Sequence, residues 1–365
     1  MSEARAVWFA GPRLAELRDE PPDEVGPHGV RIRTLVSGIS HGTEMLAYRG
    51  EIPSGTTLDL PTFGGDFSYP LKYGYASVGR VVEVGPRVQT LAPDDLVFAL
   101  HPHQTEYVLS DEWHVAWRLG DIPPERAVFV ANLETALNVL LDAPIRIGER
   151  VVVFGQGIVG LLIGLLTRRN GAGRVVVVDP YERRREAAMS LGADAALAPS
   201  PTLAHGIMAV LSQQGLGQPG VQGVAHSMHP GSEPESSDAT GGRADIVFEA
   251  SGNPAALQAA LDCVADEGTV VVCSWYGSKP ATLELGGRFH RGRLRLQSTQ
   301  VGKINTSLAP RWDYARRMAV VMQLLAELPL ERLISHRIPF GDAARAFELV
   351  DRHPDETLQV VLTYE

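Results

Sequence analysis

Of the 365 residues only two are cysteine, Cys263 and Cys273. Two thiols exclude a disulfide framework and a four-cysteine zinc lobe, and their apolar surroundings read as buried core positions. The chain has no block of Lys and Arg and carries a formal net charge of −10. Nucleic acid is therefore not expected as a partner, because phosphate recognition needs concentrated positive charge. No apolar run reaches the ~18 residues of a membrane span, and the opening Met1-Ser-Glu-Ala-Arg5 lacks a signal-peptide core. The expectation is a protein with no membrane contact and a cytoplasmic location.

What is present is a chain longer than one core usually holds, with a change of pattern along it. Its first 120 residues carry short β-rich segments at Ala4–Phe9, Val30–Val36, Ala76–Val84, Leu96–Phe98 and Glu106–Leu109. Gly26-Pro27, Gly85-Pro86 and Ala92-Pro93 punctuate them, as expected of a barrel-like antiparallel domain. From about Pro123 helices and buried strands alternate: Glu125–Asp142, Val151–Phe154, Ile158–Thr167, Val175–Val178, Arg183–Leu191, Asp245–Glu249, Ala255–Val264 and Thr269–Cys273. That alternation predicts an α/β fold with a doubly wound parallel sheet. After about Thr299 come a helix from Trp312 to Leu328, a strand Ile334–Ile338, a helix Asp342–Val350 and a strand Leu358–Leu362, which return to the first domain. The expected domains are 1–131, 132–299 and the returning segment 300–365. Residues 199–242 are too many for one connection and read as a long surface loop, in which His226 and His229 are solvent-exposed more readily than metal-bound.

The segment Val151-Val-Val-Phe-Gly-Gln-Gly-Ile-Val-Gly160, then Val175-Val-Val-Val178 and Asp179, spells strand, glycine turn, helix, strand and acid. Gly155 permits the bend, Gly157 lets the backbone approach a pyrophosphate, and Gly160 lets the helix pack closely on the sheet. The helix N-terminus, through Gln156, Ile158 and Val159, offers backbone N–H groups to the phosphates. Asp179 can accept both ribose hydroxyls, which favours NAD over NADP because a 2′-phosphate would meet its charge. Arg183 and Arg184 follow it, either as solvated first-turn arginines or as an opening for NADP. Thr135 and Ser251 complete the expected cofactor contacts.

With these come Ser37-Gly-Ile-Ser-His-Gly-Thr-Glu44, Gly74-Tyr-Ala-Ser-Val-Gly-Arg-Val-Val-Glu-Val-Gly85, Asp94-Asp-Leu-Val97, Thr105-Glu-Tyr107, Asp245-Ile-Val-Phe-Glu-Ala-Ser-Gly252 and Ile334-Ser-His-Arg-Ile-Pro-Phe-Gly-Asp-Ala-Ala-Arg-Ala-Phe347. In that order they resemble the medium-chain dehydrogenase/reductase superfamily over nearly the whole chain. The resemblance implies a GroES-like, mostly β catalytic domain around a Rossmann domain, and a homodimer or homotetramer acting on a small-molecule substrate. Zinc-dependent members hold the metal at three positions that here carry Ser40 or His41, then Tyr75, then Ala131, with Ala76 in place of a glutamate. At most one plausible ligand, His41, survives where three are required, so no catalytic zinc is expected. Among zinc-free members, Ser37–Glu44 and Tyr69-Pro-Leu-Lys-Tyr-Gly-Tyr-Ala-Ser-Val-Gly79 look most like the bacteriochlorophyllide hydroxyethyl dehydrogenase branch.

Without a metal, a hydrogen-bonding acid or base must handle the carbinol proton, at about 10²–10⁴-fold per group. His41 is the first choice because its ordinary pKa is near neutrality; its other reading is a hydrogen bond to cofactor ribose or backbone. Tyr75 either donates to a carbonyl or only fills the vacated volume, and Ser40 or Thr43 relays a proton. Glu134 is a buried-acid candidate, and Glu44 an anchor for its loop through an ion pair. His101 and His103 either bind substrate or are structural, and Arg288, Arg291, Arg293 and Arg295 either meet an anionic substrate or form a solvated strand face. Gln359 stands where relatives often place a cation near the pyrophosphate. The long, proline-punctuated stretch Glu51–Leu71 suggests a shaped entrance. The sequence thus predicts a zinc-independent NAD(H) oxidoreductase for a secondary alcohol or ketone of a moderately large molecule. The alternatives are an enoyl- or quinone-type double-bond reductase, a redox-neutral NAD-dependent epimerase or lyase, and a non-catalytic dinucleotide-binding protein.

Overall fold

The computed structural model describes residues 4–53, 55–57, 60, 62, 65–213 and 241–365. The loop histidines His226 and His229 lie outside them. The first part comprises strands β1 (Arg5–Gly11), β2 (Leu14–Asp19) and β3 (Gly29–Ile39), a short helix α1 (Thr43–Arg49), and strands β4 (Ser77–Val84), β5 (Leu96–Ala99), β6 (Glu106–Ser110) and β7 (Ala116–Arg118). Helices α2 (Pro124–Ala127) and α3 (Val130–Asp142) lead into β8 (Arg150–Phe154), α4 (Ile158–Arg169), β9 (Arg174–Val178), α5 (Glu182–Ser190), β10 (Ala195–Leu197) and α6 (Leu203–Leu211). Then follow β11 (Ala244–Glu249), α7 (Pro254–Cys263), β12 (Val264–Val272) and β13 (Arg295–Ser298), and last α8 (Tyr314–Glu327), β14 (Ile334–Pro339), α9 (Ala343–Arg352) and β15 (Gln359–Thr363).

Among the described residues, one sheet runs β10-β9-β8-β11-β12-β13 with every neighbouring pair parallel. Helices cover both faces of such a sheet, which is why its strands are unbroken valine runs: Val151, Val152, Val153, Val175 and Val176 have no exposed surface. The strand order reverses between β8 and β11, so the crevice for a ligand opens at their carboxyl ends. Strands β1 and β2 form a two-stranded antiparallel sheet, and a larger sheet runs β14-β15-β3-β4-β5-β7, with β6 also on β3. Its pairs are antiparallel except β14 with β15. Strand β15 pairs with β3 across more than 300 positions of sequence, so the chain end closes the sheet that the chain start opened. No helix among the described residues is long and apolar enough to cross a membrane.

Three expectations need correction. The single helix over 125–142 is two, α2 and α3, broken at Val128-Phe129. Ala127, Val128, Phe129 and Val130 are all buried, so the break threads an apolar connection through the core between the two sheets. The loop over 199–242 begins with a helix, α6, whose Leu203, Ile207 and Leu211 recur every four residues and bury one stripe against the sheet. The four arginines do not share a strand, since only Arg295 lies in β13. Arg288 donates to Val264 O and pairs with Asp266, while Arg293 and Arg295 flank Glu267. Of the thiols, Cys263 is fully buried and Cys273 partly so, and burial raises both above the usual thiol range.

Candidate active site

The glycine turn sits at the carboxyl end of β8, beside the switch point. Gly155 has φ +85°, and a Cβ there would stand 2.5 Å from Ser251 Cα. A Cβ on Gly160 would lie 1.8 Å from Gly155 O, so the first turn of α4 rests directly on the strand end. At Gly157 the opposite holds, with nothing within 4 Å of that position. Gly157 is also the N-cap of α4 and supplies no side-chain acceptor, which leaves the first-turn N–H groups facing an open surface. Ile158 and Val159 serve through these backbone groups while Ile158 buries its side chain in the core. Open first-turn N–H groups of this kind suit an anion.

The Gln156 side chain turns behind the loop and donates to Val153 O (3.1 Å) and Gly155 O (2.9 Å). The expected offer of the Gln156 backbone N–H to a phosphate is corrected: that N–H instead donates to Asp179 Oδ2 at 2.7 Å, and Tyr181 N–H donates to Asp179 Oδ1 at 2.9 Å. Each carboxylate oxygen keeps a lone pair for a ribose hydroxyl. The two arginines diverge. Arg183 lies outside and donates to Glu356 O at 2.7 Å. Arg184 turns inward, its guanidinium over the Tyr181 ring at 4.9 Å and its Nη1 3.9 Å from Asp179 Oδ2. Burial pulls Arg184 below its usual pKa while Asp179 pulls it back, and its Nε has no protein partner. Ser251 N–H and hydroxyl both donate to Glu249 Oε1, so Ser251 caps the end of β11 packed directly against Gly155.

The three positions that carry zinc in metal-dependent relatives hold a different set of groups. Tyr75 packs between the two large apolar cores and donates its hydroxyl to Ser40 Oγ at 2.5 Å. Desolvation, partly offset by the Ser40 and Thr43 hydroxyls, pushes the phenol up to about 12. Ala131 offers only a methyl group and is buried. With Ser40 at the first position the set is a hydroxyl, a phenol and a methyl, and with His41 there it holds one imidazole, where a catalytic zinc needs three protein donors. No cluster of three or more His, Cys, Asp or Glu suited to a metal occurs among the described residues. Ser40 N–H donates to Glu44 Oε2 at 2.7 Å, and Glu44 Oε1 lies 2.5 Å from His103 Nε2, both side chains fully buried. His103 Nδ1 meets Ser37 Oγ at 2.7 Å, and Ser37 Oγ meets Tyr364 OH at 2.8 Å. Glu44 therefore anchors its loop, with His103 as the partner. That corrects the substrate reading of His103, and His101 is likewise buried, stacked on Tyr107 at 3.6 Å.

His41 loses the reason for its rank. Burial first, then the charges of Arg184, Arg49 and His336, hold its pKa down to about 3, so it is a neutral imidazole at physiological pH. Its Nε2 is buried without a protein partner, which leaves it a hydrogen-bonding group for a ligand rather than a proton carrier tuned to neutrality. Glu134 is not a free acid either: Arg317 of α8 holds its Oε1 through Nη2 at 2.6 Å and Nε at 3.1 Å, while Arg317 Nη1 donates to Asn138 at 2.6 Å. The buried guanidinium needs both partners, and the pairing pins α8 to α3. Thr135 Oγ1 donates back to Ala131 O at 2.9 Å. Gln359 is buried, its amide donating to Ile39 O and Val360 O, so it clamps nothing in the crevice. The sequence reading passed over Trp275 and Phe67, whose rings meet at the crevice rim. Trp275 had a usable signal, standing just after the apolar strand ending at the sheet's ligand edge.

Residues 159–315 match the family model described as zinc-binding dehydrogenase. The chain is 25% identical to D-guloside 3-dehydrogenase of Escherichia coli, over 97% of this chain and 98% of that protein. It is 26% identical to sorbitol dehydrogenase 1 of Saccharomyces cerevisiae, over 92% of this chain and 91% of that one. The crystal structure of 2R,3R-butanediol dehydrogenase from Bacillus subtilis superposes with a TM-score of 0.74 at 18% identity, covering 99% of both chains.

Proposed function

We infer from a fold shared end to end with these enzymes, and from likeness along the whole sequence, that the chain is a medium-chain dehydrogenase/reductase, an oxidoreductase using a nicotinamide cofactor. We propose further that it works without zinc, prefers NAD(H), and interconverts a secondary alcohol and its ketone on a moderately large, hydroxyl-rich molecule. The relatives named for polyols and a guloside support that substrate class.

The observation that carries the reading is the Tyr75–Ser40 pair at the metal position of a chain whose dinucleotide cradle is complete. A nicotinamide dinucleotide held at the Gly155–Gly160 turn and Asp179 would supply the hydride acceptor for a carbinol carbon, or the donor for a ketone carbon. The protein must then move one proton at the oxygen. In the reducing direction the Tyr75 phenol, protonated at neutral pH, donates to the oxygen as it gains charge, and Ser40 Oγ relays a proton from water to the phenolate it leaves. In the oxidising direction Tyr75 takes the proton of the alcohol as it passes its own to Ser40 Oγ, whose hydroxyl proton leaves to water. Glu44, held by His103, fixes the Ser40 backbone and with it the direction of the hydroxyl. The Asp179 carboxylate beside the ribose position supports NAD.

The test joins metal analysis to turnover. After dialysis against a chelator, oxidation of secondary alcohols with NAD should persist without stoichiometric zinc, and NAD should bind more tightly than NADP. Stoichiometric zinc whose removal abolishes turnover would sink the zinc-independent reading.

A further inference from the structure

After β12 ends at Val272 the chain runs Cys273-Ser-Trp-Tyr-Gly277 along the carboxyl edge of the parallel sheet. In doubly wound folds this is the edge where ligands lie. Trp275 keeps 41% of its surface exposed there. Its ring centroid is 6.1 Å from Phe67, Phe67 is 5.2 Å from Tyr73, and Tyr73 is 6.1 Å from Tyr75. A row of four rings thus leads from solvent to the phenol that meets Ser40. It crosses from the parallel-sheet half to the antiparallel half, each ring meeting the next edge-on or tilted, at 64°, 56° and 79°.

The crossing is fixed in place. Ser278 N–H donates to Glu51 O at 2.9 Å, and Lys279 Nζ pairs with Glu51 Oε2 at 3.3 Å. Gly277 has φ +62°, and a Cβ there would stand 2.2 Å from Glu51 O, so the approach admits only glycine. Phe67 also lines a cleft of about 140 Å³ with Ile52, Pro53, Ser68 and Tyr69. Flat apolar faces therefore alternate with polar rim groups, the Ser68 hydroxyl and the Glu51–Lys279 pair.

We propose that this row is a stacking track for a glycoside. The oxidised ring lies inside, against Phe67 and Tyr73, with one hydroxyl at Tyr75, and the group joined to that ring rests on Trp275. The proposal rests on the dehydrogenase reading above. A pyranoside ring has one face of C–H bonds and an edge of hydroxyls; the face matches an aromatic surface and the edge needs polar neighbours. An acyclic diol has no such face. Three ring-to-ring steps also exceed what one six-membered ring covers, which is why a second group is required at the outer end.

Steady-state oxidation is measured for methyl and phenyl hexopyranosides and for 2-butanol, in wild type, Trp275→Ala and Trp275→Phe, with NAD affinity as the check that each variant is folded. The expected result is a lower KM for phenyl than for methyl glycosides in the wild type. In Trp275→Ala the ratio of kcat/KM on the phenyl glycoside to that on 2-butanol should fall at least tenfold, the loss lying in KM, and Trp275→Phe should recover part of it. An unchanged ratio in Trp275→Ala overturns the proposal. So does a wild type that oxidises 2-butanol and no hexopyranoside, an outcome that leaves the dehydrogenase reading standing. Turnover of neither class with NAD or NADP removes the dehydrogenase reading itself, and the track with it.

Discussion

Replacing Tyr75 with Phe removes one hydroxyl and little else. The ring continues to fill the space between the two cores, and what is lost is the 2.5 Å bond to Ser40 and the interaction with the Thr43 hydroxyl. A phenol raised to about 12 stays protonated across the working pH range, yet it is a stronger acid than the alcohol formed from the ketone, so its proton passes downhill. Loss of such a donor costs about 10²–10⁴-fold in kcat/KM for ketone reduction, or about 3–5 kcal/mol of transition-state stabilisation. Stability should change by only about 1 kcal/mol, the worth of one hydrogen bond whose acceptor remains. Three measurements separate these effects: kcat/KM with NADH and a ketone, NADH affinity by fluorescence, and a thermal melt. The first should fall at least 100-fold while the second stays within about twofold. Ser40→Ala combined with Tyr75→Phe should add little, since both interrupt one relay. A Tyr75→Phe enzyme within threefold of wild type would refute the mechanism.

His101 and His41 are both held near 3 by burial, whereas an unfolded histidine titrates at 6.5, so the unfolded chain binds more protons between those values. Their contribution to stability is complete above about pH 6.5 and is lost as pH falls; by pH 4.5 His101 alone accounts for about 3 kcal/mol, and urea melts at pH 7.5 and 4.5 with equal midpoints would contradict this. Kcat/KM should show no His41 inflection near pH 6.5 if the imidazole is neutral as placed, and a clear inflection there that vanishes in His41→Ala would restore it as the proton carrier. His103→Leu strands the Glu44 carboxylate in a fully buried site and should cost about 3–5 kcal/mol in a melt, whereas His103→Leu with Glu44→Leu should cost less than the sum of the singles. Asp179→Ala removes the charge opposing a 2′-phosphate and leaves Arg184, so the ratio of NADP to NAD affinity should rise at least tenfold, and an unchanged ratio would remove Asp179 from cofactor choice.

The cofactor half was legible because its demands are local. A turn that only glycine can make, a helix that starts on it and an acid closing the next strand stand in sequence order, and the structure shows that turn at Gly155, the helix starting at Ile158 and the strand ending before Asp179. The alternation of apolar strands and helices was equally local, although α6 was hidden by the loop-like composition that follows it. The catalytic half was illegible for the opposite reason. His41 looked near-neutral because an ordinary pKa carries no information about burial or about Arg184, Arg49 and His336, which approach from distant parts of the chain. Glu134 looked free because Arg317 lies 183 positions away, and His101-Pro-His103 looked like a pocket lining because nothing in the tripeptide shows that Glu44 and Tyr107 enclose its ends. Side-chain partners set by long-range packing are the part that a local reading does not reach.

The Glu44–His103 pair has a bearing on how such a site changes over evolutionary time. Because Glu44 of α1 has a buried partner in His103, in the segment before β6, that pairing does not depend on the residue at position 75. Position 75 is then released to carry a phenol, and the same commitment works as a ratchet. Replacing Tyr75 with His and Ser40 with Cys would supply two donors of a metal site, but Ala131 would still offer none and the carboxylate would still face His103. Installing a metal here therefore requires several simultaneous replacements, none of which helps alone.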